Sequence, residues 1–291
     1  MELTIGPILF EWKRDEVLRF YEEVEQMDVD RVYVGEVVCT KKRGLAPEDM
    51  AAVRERLIKA GKKVTLSSLA VVSNDEELDY TRRVVSLSDS VEANDISVLN
   101  IVDPSEKEVF AGPHITSYNV PSIEFLKSVG VKRVTFPVEL PGEAVAYNIR
   151  ETGVLGEVFV HGKVPLAFSW RCYTSRAYGL SKAECRHDCA RFPDGMELKN
   201  VDGLPVFTVN GTTLLSADTY TLVELVEELK EAGVGALRIS PQHEGTARVV
   251  DVFRRRMEGR LPPGAGLAEL KGPGERFCNG WYKGGAGKDY I

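Results

Sequence analysis

Eight short β-branched runs, most of them alternating with helical stretches, predict an α/β fold, a closed (β/α)8 TIM-like barrel. The runs fall near residues 4, 33, 65, 98, 112, 136, 160 and 238. Such alternation implies buried parallel strands joined by crossover helices. Eight units of ~30 residues match a barrel of about 250 residues. An open doubly wound sheet is the alternative. No G-x-G-x-x-G follows the first run and no G-x-x-x-x-G-K-[ST] occurs anywhere, so its usual nucleotide loops are missing.

In chain order, Glu2 to Ile5 reads as the first strand, ended by Gly6-Pro7. Asp15 to Met27 places Val17, Leu18, Phe20, Tyr21 and Val24 at helical spacing, with Asp15 as its cap. Arg31 to Gly35 is the second strand. Pro47 to Ala60 is a helix, with proline in its first turn and Gly61 past its end. Lys63 to Ser68 is a strand, Asp75 to Val91 mostly helix, and Ile96 to Ile101 and Val109 to Ile115 strands. Pro121 to Val129 is a helix stopped by Gly130. Arg133 to Glu139 is a strand, Gly142 to Glu151 a helix, and Glu157 to Ser169 a strand interrupted at Pro165.

Beyond it, Met196 to Ala217 alternates β runs with the turn dipeptides Asp202-Gly203 and Asn210-Gly211, a hairpin or meander. Leu222 to Ala232 is a helix, Ala236 to Ser240 the eighth strand, and Thr246 to Gly259 a helix. Residues 261–291, rich in glycine and proline, read as surface coil. The expectation is one domain over residues 1–291. An insertion at about 170–218 before the last strand carries the hairpin and a cysteine block.

The 291 residues are 43% hydrophobic and 28% charged, the balance of an ordinary globular chain. The net charge of −7 disfavours a grip on a phosphate backbone, so no nucleic acid is expected. The basic runs Lys41-Lys42-Arg43 and Arg254-Arg255-Arg256 read as solvated surface. No apolar stretch approaches the ~20 residues of a membrane span. The N-terminal stretch lacks a basic start and a long apolar core, so a cytoplasmic protein with reduced thiols is expected.

Three of the five cysteines lie between Trp170 and Phe192, spaced C-x12-C-x3-C: Cys172, Cys185 and Cys189. Three thiolates leave a four-sulfur centre one short, and Cys39 is the candidate fourth. In a barrel the ends of strands two and seven open on the same face, so Cys39 and Cys172 can meet there. The four-residue spacing of Cys185 and Cys189 would set both sulfurs on one side of a helical turn. A 4Fe-4S cluster, a structural zinc and plain buried thiols all remain open. Cys278 reads as a non-ligand.

Among His114, His161, His187 and His243, His161 is the first candidate for proton transfer, because an imidazole titrates near neutrality. His187, between two cysteines, would be a redundant ligand. Glu36 reads as a pocket carboxylate or a partner of Arg43, and Glu139 has similar standing. Neither G-x-S-x-G nor H-E-x-x-H occurs, so serine-hydrolase and zincin chemistry has no support.

Residues Glu157 to Cys172, E-V-F-V-H-G-K-V-P-L-A-F-S-W-R-C, resemble the collagenase-like "peptidase" family of barrel proteins, with its strand E-x-F-x-H-G leading to S-x-R-C. G-P-I-L-F-E-W, V-G-E-V-V-C-T-K-K-R, P-V-E-L, R-I-S-P-Q and C-N-G-W, with the cysteine block, are similar to its UbiV-like branch. The resemblance implies a 4Fe-4S cluster on Cys39, Cys172, Cys185 and Cys189. It implies a heterodimer with a UbiU-like partner, a UbiT-like lipid carrier, and a hydroxylase component in oxygen-independent ubiquinone biosynthesis. The substrate would be a quinone precursor, with prephenate as the implied oxygen source. An RNA-base hydroxylase, as in other branches, and a zinc-stabilised interaction protein are the alternatives. The resemblance carries no catalytic role to His161.

Overall fold

The computed structural model describes every residue except Pro273. In chain order the elements begin β1 (Glu2–Ile5), α1 (Arg14–Gln26), β2 (Arg31–Val34), α2 (Pro47–Lys59), β3 (Lys63–Ser67), α3 (Asp75–Ser86), β4 (Ser90–Ala93) and α4 (Ser97–Ile101). Then come β5 (Glu108–Ala111), α5 (Val120–Ser128), β6 (Val131–Thr135), α6 (Gly142–Thr152), β7 (Leu155–Gly162), β8 (Pro165–Phe168) and α7 (Tyr173–Ala177). The last are β9 (Met196–Lys199), β10 (Pro205–Asn210), β11 (Thr213–Ser216), β12 (Thr219–Thr221), α8 (Val226–Glu231), β13 (Ala236–Ile239), α9 (Thr246–Met257), α10 (Ala265–Leu270) and β14 (Phe277–Cys278).

Strands β1 to β7 run parallel in order, and β13 closes the circle by pairing with both β7 and β1. The expected (β/α)8 barrel is present. A second, antiparallel sheet, ordered β8-β11-β10-β9, joins β8, which precedes the expected insertion, to strands within it. It caps the C-terminal face, where the Asn210 amide donates to the Leu9 carbonyl and the Thr212 hydroxyl to Val38 O at 2.9 Å. The Asn210-Gly211 turn is as expected, with Gly211 at φ +60°.

Strand alternation separates two environments. Leu3, Ile5, Val32, Val34, Val64 and Leu66 point outward and are buried under the helices. The intervening Thr4, Tyr33, Thr65, Glu92, Arg133, Glu157 and Arg238 point inward. Side chains in such barrels are usually branched and apolar; here an ion network fills the centre. Arg238 bonds Glu157 at 3.0 Å and Glu92 at 2.7 Å, and Arg133 reaches Glu157 at 3.3 Å. Thr4 and Tyr33 donate to the same carboxylate at 2.5 Å. Burial pushes Glu157 up, but the guanidiniums of Arg238 and Arg133 outweigh it and hold the pKa at about 2.

Several boundaries differ from expectation. The fourth strand is Ser90–Ala93, and Ile96 to Ile101, read as a strand, is mostly the helix α4. The short S-V-E-A run hides its strand character because its inward residue is Glu92, a partner of Arg238. The long strand expected over 157–169 is two: β7 belongs to the barrel and β8 to the capping sheet. The tail expected as coil contains α10, and β14 pairs with β12. Helix α1 starts at Arg14, where the Glu16 carboxylate, not Asp15, accepts the Lys13 N–H at 2.9 Å. Among the described residues no helix is long and apolar enough to cross a membrane.

Candidate metal centre

Cys39 lies in the loop after β2. The chain leaves the strand through Gly35, where a Cβ would stand 2.3 Å from the Ser67 carbonyl oxygen, so only glycine passes. Glu36 then folds the loop back on itself. Its Oε1 accepts the N–H groups of Val38 at 2.7 Å and Cys39 at 3.0 Å, and its Oε2 pairs with Lys42 at 3.2 Å. Both carboxylate oxygens are engaged, so Glu36 is a loop anchor and not a free base. Its ion partner is Lys42, not Arg43. The Arg43 N–H instead donates to Glu11 at 3.0 Å. Lys41 and Arg43 are exposed, as expected of the basic run, but the Lys42 side chain between them is only 6% exposed.

Cys172 follows β8, not β7, and caps α7: its sulfur accepts the Ser175 N–H at 3.3 Å. The Cys185 sulfur accepts the His187 N–H at 3.4 Å. His187 adopts φ +58°, the one left-handed non-glycine among the described residues. That residue breaks the helical turn expected between Cys185 and Cys189. Cys189 instead lies in a short 3-10 turn over Asp188–Arg191, packed against α7.

Shared contacts bring these segments to one end of the barrel. Val38, next to Cys39, bonds Thr212. Tyr173, next to Cys172, donates its N–H to Gly211 at 2.7 Å. Both ligand loops therefore rest on one hairpin turn. Lys41 donates to the Lys182 carbonyl at 2.8 Å, and the Trp12 indole to the Pro193 carbonyl at 2.7 Å, tying down the middle of the cysteine block and the residue just past its end.

Burial and nearby carboxylates disfavour the thiolate at Cys39 and Cys189, and neighbouring cations oppose them. Burial pushes the Cys39 thiol up, opposed by the Lys41 N–H and the cations Lys182 and Lys42. Burial, with Glu11 and then Cys185 and Cys172 nearby, pushes Cys189 up to about 12, opposed by Lys42. Lys42, paired with Glu36, is near enough to both Cys39 and Cys189 to oppose the rise. Arg43 and Lys41 lie close enough to His187 to lower its pKa further, after burial has done so. Four sulfur donors and two N–H···S bonds fit an iron–sulfur or four-thiolate site in donor chemistry. As the side chains stand, no three Cys, His, Asp or Glu among the described residues are close enough to hold a metal ion.

The other candidates separate. A bulge in β7 at Val160, opposite Arg238 and Ile239, inverts the alternation. His161 therefore points outward, against Phe253 and Phe277, with Nδ1 3.1 Å from the Thr221 hydroxyl. His114 lies at the barrel mouth, its ring 4.1 Å from that of Phe168, and burial holds it neutral with a pKa of about 3. It lines a cavity of about 340 Å3 with Tyr118, Glu139, Pro165 and Phe168, and Glu139 accepts the Tyr118 hydroxyl. His243 packs edge-on against Trp12. Cys278 is buried beside Asp218, away from the block, with its thiol raised by burial to about 12. A second cavity of about 340 Å3 opens beside Cys172, lined by Trp170, Arg171, Arg176 and Lys182.

Residues 18–260 match the model of peptidase family U32. The chain belongs to peptidase family U32. Solved structures similar to this U32 chain share its barrel at low identity. The phospho-2-dehydro-3-deoxyheptonate aldolase of Thermotoga maritima is 12% identical, with a TM-score of 0.50, over 89% of this chain and 70% of the aldolase. Thiamine phosphate pyrophosphorylase of Pyrococcus furiosus is 9% identical, with a TM-score of 0.49, over 90% and 97%. At such identity the likeness concerns the fold alone.

Proposed function

We propose that this U32 protein is the iron–sulfur component of an oxygen-independent hydroxylase of the UbiV-like branch, acting in anaerobic ubiquinone biosynthesis. Cys39, Cys172, Cys185 and Cys189 would hold a 4Fe-4S cluster. The observation that carries this is the docking of the Cys39 and Cys172 loops on the Asn210–Thr212 turn. A bound cluster supplies one-electron transfer.

The chain's own residues do the rest. Lys41, Lys42, Arg43 and Lys182 offset the charge of four thiolates. The capping sheet and the Trp12–Pro193 contact limit water. The cavity at the mouth, walled by Phe168, Pro165 and Tyr118, suits the ring of a quinone precursor. Leu198, Val201 and Leu204, exposed on the second sheet, offer apolar surface to a UbiU-like partner or a UbiT-like lipid carrier. RNA-base hydroxylation gains no support from a net charge of −7.

Anaerobic purification followed by iron, acid-labile sulfide and zinc determination tests this reading. About four irons and four sulfides per chain are expected for one cubane. One zinc and no iron would overturn it in favour of a structural thiolate site.

A further inference from the structure

A second polar site lies away from the cysteines, under the N-terminus of α9. A cavity of about 270 Å3 opens between the ends of β7 and β13 and the first turn of that helix. Its walls include His161, Lys163, Ser240, Thr246 and Arg248.

Four features bear on its ligand. First, α9 begins at Gly245 with φ +83°, has no side-chain cap and carries no acidic residue in its first turn. The N–H groups of Thr246, Ala247 and Arg248 meet no acceptor among the described residues. Second, His161 is 4% exposed, and only its Nδ1 is bonded, to Thr221. With the threonine hydroxyl donating to Nδ1, the Nε2–H is left as a donor for the cavity. Third, the Ser240 hydroxyl is 2% exposed and has no partner among the described residues. Fourth, Lys163 and Arg248 add two cations. Lys163 is half-buried and tethered to the Ala217 carbonyl, and Arg248 donates to the Leu270 carbonyl at 3.1 Å.

Three carboxylates also line the cavity. Asp194 already accepts the His243 N–H at 2.8 Å, and Glu275 the Gly272 N–H at 3.1 Å. Glu244 is exposed. The buried groups left without a partner are donors, converging from a helix N-terminus and two strand ends, with two cationic side chains and three carboxylates at the rim. Backbone N–H groups at a helix start, backed by its dipole, favour a tetrahedral oxyanion.

We propose that this cavity binds the phosphate group of a small phosphorylated molecule, with the first turn of α9, Lys163, Arg248, Ser240 and His161 as its donors. The site is separate from the proposed thiolate centre, since no cysteine lines the cavity.

The test is an NMR titration of the full chain with inorganic phosphate, and with acetate in parallel. Saturable shifts of the Ala247 and Arg248 amides and of the His161 ring are expected with phosphate and not with acetate. Arg248→Glu, an exposed change, should weaken binding by about tenfold or more, roughly 1.4 kcal/mol. Lys163→Met should weaken it in the same direction, and the dispersion of the remaining amides reports that each variant is folded. Failure of phosphate to saturate those amides, equal shifts with acetate, or unchanged binding in Arg248→Glu would overturn the assignment.

Discussion

The Lys42 ammonium lies 3.2 Å from the Glu36 carboxylate, with both side chains a tenth exposed or less. Burial raises the Glu36 pKa, and Lys42 is the largest opposing influence. One ion pair therefore opposes the burial of the carboxylate that anchors the Cys39 loop. Removing the cation leaves a buried carboxylate with only its two N–H donors. Lys42→Met should destabilise the fold by about 2–3 kcal/mol, below the upper range for a broken buried pair because those donors remain. Lys42→Arg should recover much of it. Urea unfolding midpoints at neutral pH measure this; an unchanged midpoint for Lys42→Met would remove Lys42 from its assigned role.

Gly35 marks where backbone approaches backbone. A methyl group there would sit 2.3 Å from Ser67 O and 3.0 Å from Ser67 N, and neither can swing aside as a side chain does. Gly35→Ala should cost about 1–3 kcal/mol as an overpacking change, and displace the Cys39 loop. The same urea experiment, with iron content as a second readout, checks both effects.

The charged barrel centre predicts a particular acid response. Desolvation raises Glu157 and Glu2, yet their cationic partners win and hold both at about 2, against an ordinary 4.5. A depressed carboxylate stabilises the fold fully above its unfolded pKa and loses that contribution as pH falls through the folded one. Stability should therefore hold above about pH 4.5 and decline toward about pH 2. Glu157→Gln should lower stability at neutral pH, by leaving Arg238 and Arg133 short of charge, and flatten the acid decline. An acid limb identical to that of the parent protein would show that Glu157 does not govern it.

The barrel was legible because outward strand positions such as Ile5, Val34 and Leu66 are apolar and the helices between them carry clear 3.6-residue faces. The fourth strand was not, because its inward residue is Glu92, whose partner Arg238 lies far along the chain. Cys39 and the Trp170–Phe192 block stood out from residue type and spacing. The outward turn of His161 could not be read, since a single bulge at Val160 reverses the side-chain alternation. The burial of Lys42 was hidden for a similar reason: a basic triplet looks the same in sequence whether solvent or a carboxylate faces it. The cavity under α9 left only the uncapped Gly245-Thr246 start as a local signal.

The central claim is that sulfurs from three separate segments serve one centre, and iron content of anaerobically purified Cys39→Ala tests it most directly. The account predicts about four irons and four sulfides per parent chain, and a variant that folds normally yet loses most of that iron together with its visible absorption. A folded Cys39→Ala variant that retains the parent's full iron and sulfide would contradict it.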